Sequence, residues 1–258
     1  MQRIKLFLKG NLDVYDSLHS CRINDSLCWN GINQVQNIRD AHLRVQLQHE
    51  TFTRSDALLA SSGHAPSGLL QRHLPLISFP PESQFSLNVF SVVADAYIFS
   101  IQADISVSLV RHKNEGYLFN PESLPLWKNQ ADIDWLKSNF TSVKALTAQE
   151  SMGNFHLIID RLRKKTSAPI LIYNACPMIP GANVHCYSGL TDDLSTRIQK
   201  FNLELIELSG RTGISIVDVN RILSSHGVND LKLDPWHLNS TGLKLVAEEV
   251  SRILLETL

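Results

Sequence analysis

The sequence predicts an α/β fold in which a parallel sheet is covered by helices on both faces. Five short aliphatic or β-branched runs recur along the chain, and segments of helical periodicity separate them. Size agrees: 258 residues, 43 % of them hydrophobic, suffice to bury one full core. No repeat, low-complexity tract or interdomain linker interrupts them, so one domain over 1–258 is expected.

The runs lie at residues 4–8, 43–47, 96–101, 170–173 and 214–219. The most complete helical signature covers 147–165, where Thr147 and Glu150 have capping-box spacing and Met152, Phe155, Ile158, Ile159 and Leu162 form an apolar stripe. It stops before Pro169, which opens the fourth strand. A second helix, 194–211, carries Ile198, Phe201, Leu205 and Leu208 on one face, with Gly213 just past its end. The last starts near Ser240, capped by Asn239 or Ser240, and presents Leu243, Val246, Ala247, Val250, Ile253 and Leu254. These stripes are expected to face the core.

Two stretches break the alternation. Residues 61–91 contain Pro66, Pro75, Pro80 and Pro81; residues 102–146 contain Phe119, Pro121, Pro125, Trp127 and Trp135. Each is too long for an ordinary connection, so each is a folded excursion or a functional loop. In parallel sheets the loops after the strand C-terminal ends build the site. The segment 102–146 follows the third strand, which makes it a candidate pocket wall or lid; a structural insertion over a sheet edge is the other reading.

Charge is balanced, 24 Lys+Arg against 25 Asp+Glu, with no basic run, so nothing supports a nucleic-acid or anionic-membrane partner. A small molecule is the expected partner, and nothing in the sequence sets an oligomeric state. No apolar run reaches the ~20 residues a membrane span needs. The run at 4–8 is too short for a signal-peptide core and is broken by Lys5, so a soluble, cytoplasmic protein is expected.

Cys21, Cys28, Cys176 and Cys186 show neither a C-x-x-C pair nor zinc-like spacing with His and read as reduced thiols. His49-Glu50 is not followed by His at the metalloprotease spacing, because position 53 is Thr. The G-x-S-x-G elbow, the P-loop and G-x-G-x-x-G do not occur. The expectation is chemistry without metal or organic cofactor.

What remains is Leu233-Asp234-Pro235-Trp236-His237, placed after the last strand and directly before the terminal helix. Imidazole, with an unperturbed pKa near ~6.5, suits general-base work at neutral pH. A carboxylate on its Nδ1 fixes the tautomer and stabilises the imidazolium. Three-residue spacing on a short loop lets Asp234 reach His237.

With this block the chain resembles the SGNH, or GDSL-type, hydrolases, in which D-x-x-H near the C-terminus provides the catalytic Asp and His. The likeness follows the order of elements: a strand plus Gly10-Asn11, a tryptophan-led helix at Trp29, the strand at 96–104, the run from Pro169 to Asn174, and 233–242. It implies a flavodoxin-like three-layer α/β/α sandwich with a five-stranded sheet. It also implies ester hydrolysis or acyl transfer, acting on a small acylated substrate through an acyl-serine.

The family pattern puts its nucleophilic Ser two residues beyond a Gly after the first strand, but Gly10-Asn11 is followed by Leu12. The nearest hydroxyl in a family-like setting is Ser17, in Asp16-Ser17-Leu18, five residues late. A bulge over 11–15 would carry it to the sheet edge; a helix cap or surface hydroxyl is the alternative. Ser20 and Cys21 follow with less context, and Asp13 falls beside the expected slot.

The family's oxyanion hole combines the nucleophile's N–H, a Gly N–H and an Asn side chain, because preorganised donors stabilise developing negative charge. Here the second block has no Gly, leaving backbone N–H groups at Thr53 or Arg54. In the third block Ala103 takes the Asn slot beside Gln102. Gln102 or Asn11 can supply an amide donor, and Arg54 can bind a carboxylate or phosphate.

Three readings follow. Ser17, His237 and Asp234 form a triad for acyl hydrolysis or transfer, or the chain binds a small ligand without hydrolysis, or the Asp-His pair works with Asp13 or a water in place of serine.

Overall fold

The computed structural model describes residues 2–23, 26–72, 74–76, 78–122, 126–178, 192–234 and 236–258. Pro125, Cys186 and Pro235 lie outside the described residues, as does the side chain of Cys21. The strands are β1 (Gln2–Lys9), β2 (Ser20–Ile23), β3 (Ser26–Asn30), β4 (Leu43–Glu50), β5 (Ala96–Ser100), β6 (Val110–His112), β7 (Leu118–Phe119), β8 (Phe140–Ser142), β9 (Ile170–Tyr173) and β10 (Ser215–Val217).

Five of them form a parallel sheet in the order β10-β9-β5-β1-β4, with Leu6 beside both Leu47 and Ala96. The chain builds outward from β1 to the edge strand β4, then crosses back to place β5 on the other side of β1. That reversal creates a switch point at the C-terminal ends of β1 and β5, where open α/β sheets bind ligands.

Successive side chains of a strand point to opposite faces, and both faces are covered here. Leu6, Leu8 and Ile98 pack against Val246, Val250 and Leu254 of the helix Ser240–Thr257. Phe7, Phe99 and Ile172 pack on the other face against Phe155 and Ile158 of Ala148–Arg163 and Phe201 and Leu205 of Leu194–Thr212. Each such side chain contributes roughly 1.5–3 kcal/mol of burial, and the result is the three-layer sandwich the sequence implies.

The helix signals hold. Thr147 and Glu150 close a reciprocal capping box. Gly213 sits past Leu194–Thr212 at φ 67°, the left-handed conformation that glycine tolerates. Asn239 is the cap of the last helix, its Oδ1 accepting the N–H groups of Thr241 and Gly242 at 3.1 and 3.0 Å.

Two expectations change. The run 214–219 is a strand only over Ser215–Val217, because Asp218 accepts the Arg221 N–H at 2.9 Å and starts the helix Val219–His226. Trp29 does not lead a helix; it lies in β3, which pairs antiparallel with β2. Its indole is buried, and its N–H donates to the Ser17 carbonyl at 2.9 Å, the partner a buried indole requires.

Both long excursions are folded, and they fold together. Strands β7-β6-β8 and the helix Gln130–Asn139 from the second pack with Leu69, Leu76 and Phe85 of the first. Phe119, Trp127 and Trp135 belong to this cap, where Phe119 meets Phe140 edge-on at 5.0 Å. Gln84 and Asn120 bond reciprocally between the two excursions. Among the described residues no helix is long and apolar enough to cross a membrane.

Candidate active site

Asp234 and His237 meet as their spacing predicts. His237 Nδ1–H donates to Asp234 Oδ2 at 2.7 Å, and Asp234 Oδ1 accepts the N–H groups of Trp236 at 2.7 Å and His237 at 2.9 Å. The loop itself is pinned, since the Leu233 N–H donates to the His237 carbonyl at 2.9 Å and Lys232 bridges Leu238. Desolvation pushes the Asp234 carboxyl up, but the His237 ring and the two amides outweigh it and hold the group below the usual carboxylate range. With Nδ1 committed to Asp234, Nε2 is the nitrogen left to act as base.

His237 faces two adjoining cavities at the C-terminal edge of the sheet. The outer cleft has a volume of about 390 Å³ and the inner one about 30 Å³. Leu12, Asp13, Gln102, Trp236 and His237 line both. These residues come from the switch point: the first turn after β1, the turn after β5, and the loop before the last helix.

The turn after β1 decides the nucleophile. The helix Leu12–Leu18 starts two residues after Gly10, so tightly that a Cβ at Gly10 would lie 2.6 Å from Val14 Cγ2. No bulge intervenes, and Leu12, 53 % exposed, heads the helix at the cleft. Ser17 consequently lies in the last turn on the inner face, fully buried. Its hydroxyl is 3.0 Å from the carbonyls of Asp13 and Val14 and 3.0 Å from Tyr173 Oη. It lines neither cavity, so the structure removes Ser17 from the site and gives it a core role.

Asp13 does reach the cleft. Its carboxylate accepts the Asn11 N–H at 3.2 Å and the Ser100 hydroxyl. Desolvation raises its pKa, against those hydrogen bonds. Asp16, on the inner cavity, is also raised by desolvation and Asp13, while His237 pulls it down.

Two of the predicted amide side chains, Asn11 and Gln102, line the outer cleft. Asn11 Oδ1 accepts the Phe52 N–H at 3.1 Å, and its NH₂ group has no acceptor among the described residues at the outer cleft. The Gln102 side-chain amide makes no hydrogen bond to the described residues, and its backbone N–H donates to Ser100 Oγ at 3.0 Å. Behind it, Asp104 receives the Ser55 N–H at 2.7 Å and the Ser55 and Ser151 hydroxyls at 2.5 Å, which fixes the helix Gln102–Ser106 against two others. Burial raises the Asp104 pKa to about 6.

Thr53 and Arg54 are not in the site. Both are buried and line neither cavity. Arg54 is held by Asp56, through Nε at 3.0 Å and a second nitrogen at 2.5 Å, and by the Lys144 carbonyl at 3.1 Å. A guanidinium filled by its own neighbours has no face left for a ligand. The residue missed is Thr51, directly after β4, which lines the cleft with a buried hydroxyl that has no partner among the described residues. Its position at the strand end was the available signal.

His49, on the same wall, donates from Nε2 to the Gly10 carbonyl at 2.8 Å, and burial lowers its pKa. Glu50 accepts from Lys9 at 3.0 Å and from Ser86 and Asn88. Both fasten the ends of β1 and β4. Ser78 and Phe79 from the first excursion and Ser106 and Val107 from the second complete the outer wall. The excursions thus supply wall residues, while their tryptophans are cap core.

No protein-family model matches the sequence, and no curated protein matches it. Solved structures share the fold over nearly the whole chain. An α/β hydrolase enzyme from the metagenome of Lake Arreo, Spain, is 13 % identical with a TM-score of 0.53, covering 98 % of this chain and 96 % of its own. A GDSL-like lipase candidate from Parabacteroides merdae is 9 % identical at TM-score 0.51, covering 98 % and 97 %. The acetylxylan esterase Axe2 from Geobacillus stearothermophilus is 12 % identical at TM-score 0.52, covering 97 % and 94 %.

Proposed function

We propose that this chain is a divergent SGNH-like acyl hydrolase in which the Asp234–His237 pair activates water directly, without an acyl-serine. The observation that carries the reading is the 2.7 Å contact of His237 Nδ1 with Asp234 Oδ2 at the mouth of the cleft, beside a helix head that offers Leu12 where a nucleophile would stand. The likeness in fold to esterases and a lipase supports it.

The water oxygen attacks the ester carbonyl carbon while His237 Nε2 takes the water proton, and Asp234 stabilises the imidazolium. Negative charge gathers on the carbonyl oxygen, where the Asn11 and Gln102 amides and the Leu12 N–H at the helix head are the available donors. Collapse breaks the bond to the alcohol oxygen, which receives the proton from His237. The products are the acid and the alcohol. An alcohol in place of water gives acyl transfer by the same steps.

The test is turnover of an aryl acyl-ester panel by the full chain and by His237→Ala, run in ¹⁸O water. Hydrolysis lost in the variant, with one ¹⁸O in the acid and no covalent acyl adduct, supports the reading. Activity that survives His237→Ala rejects it.

A second reading, ligand binding without hydrolysis, is favoured by Asp13, whose carboxylate already accepts the Asn11 N–H across the helix head. Saturable ester binding with no turnover in any ester of the panel would select it.

A further inference from the structure

We infer that the ligand of the outer cleft is an uncharged ester with an apolar acyl chain, and that the site rejects anionic acyl carriers; this rests on the acyl-hydrolase reading but concerns what the cleft binds. The first observation is the wall. Leu12, Phe79, Val107 and Trp236 line it around His237, and Leu12 keeps 53 % of its surface exposed there. That apolar side chain at the mouth of the cleft makes its position a contact for hydrocarbon.

The second observation is the charge inventory. Among the described residues no Lys or Arg lines either cavity, whereas Asp13 and Asp16 do. The nearby cations are engaged: Lys9 with Glu50, and Arg54 with Asp56. Lys232 donates to Cys176 Sγ at 3.3 Å and to the Pro177 carbonyl at 2.9 Å. A phosphate or carboxylate entering this cleft would lose its hydration next to Asp13, with no lysine or arginine among the described lining residues to receive it.

The third observation is what polar recognition remains. The Asn11 and Gln102 amides and the Thr51 hydroxyl, which lacks a partner among the described residues, are neutral groups suited to an ester carbonyl or an alcohol oxygen. An apolar lining with a few neutral hydrogen-bonding groups is the usual composition of a site for a neutral small molecule.

Calorimetric titration of the full chain with three non-hydrolysable probes, octyl glucoside, octyltrimethylammonium and octyl sulfate, below their micelle concentrations, tests this without requiring turnover. Octyl glucoside and the ammonium probe should bind at least about tenfold more tightly than octyl sulfate, and each methylene removed should weaken binding about three- to fourfold. Ser106→Lys, with Ser78→Lys as a second variant on the same wall, should narrow or reverse that preference. Octyl sulfate binding as tightly as octyl glucoside, no binding of any probe, or a preference unmoved by both Lys variants would overturn the proposal. A loss of turnover in the His237 experiment alone leaves these binding outcomes readable.

Discussion

Ser17 Oγ and Tyr173 Oη lie 3.0 Å apart in the core, joining the helix after β1 to strand β9. The hydroxyl nearest in sequence to a catalytic position is therefore a packing contact between two elements. Neither group is exposed.

Ser17→Ala should leave ester turnover unchanged and lower the unfolding free energy by about 1–3 kcal/mol, because Tyr173 Oη loses its hydroxyl partner in a buried place. Urea denaturation monitored by circular dichroism measures the second effect. A phosphonate adduct on Ser17 of the native chain would contradict the assignment.

Leu12→Ser should create the nucleophile that the helix head lacks. Leu12 is half exposed, so stability should change little. Covalent fluorophosphonate labelling at position 12, dependent on His237, is the expected result in intact-mass spectrometry.

Asp234→Asn should lower kcat/KM by about 10²–10⁴, since an amide cannot hold the same ring tautomer or balance the imidazolium charge. The fold should survive, because the pair is half exposed and the helix cap at Asn239 is separate. Initial-rate kinetics on the best ester of the panel provides the number.

Asp104 makes stability depend on pH with a defined sign. Its folded pKa, about 6, exceeds the ordinary carboxylate value, so the folded state binds the proton more readily than the unfolded chain. Stability from this group is full below the unfolded value and declines as pH rises toward about 6, by up to about 3 kcal/mol. Chemical denaturation of the parent and of Asp104→Asn at pH 4, 5, 6 and 7 should show a steeper decline in the parent than in the variant.

The sheet was readable because each strand carries a short run of aliphatic or β-branched residues, and β5 and β9 are buried at every position. The Asp234–His237 contact was readable because it is local, set by three residues of loop. Ser17 was not, because its place depends on where the helix starts: with Leu12 as first helical residue, Ser17 lies ~7.5 Å along the axis and about 140° round the helix from it. Thr53 and Arg54 failed for a similar reason, as the chain turns inward after Thr51 and Asp56 captures the guanidinium. The aromatic residues of 102–146 look alike in sequence whether they line a cleft or fill a cap, and only the joint packing with 61–91 separates the two.

That joint packing has an evolutionary consequence. Phe79 and Val107 belong to the excursions, whose cap has its own apolar core, with Glu122 gripping the Ser78 and Phe79 amides at 2.7 and 3.1 Å, while Asp234 and His237 sit on the loop before the last helix. Selection can therefore redraft what the cleft accepts through changes in one packed unit and leave the proton-handling apparatus inherited intact in the other.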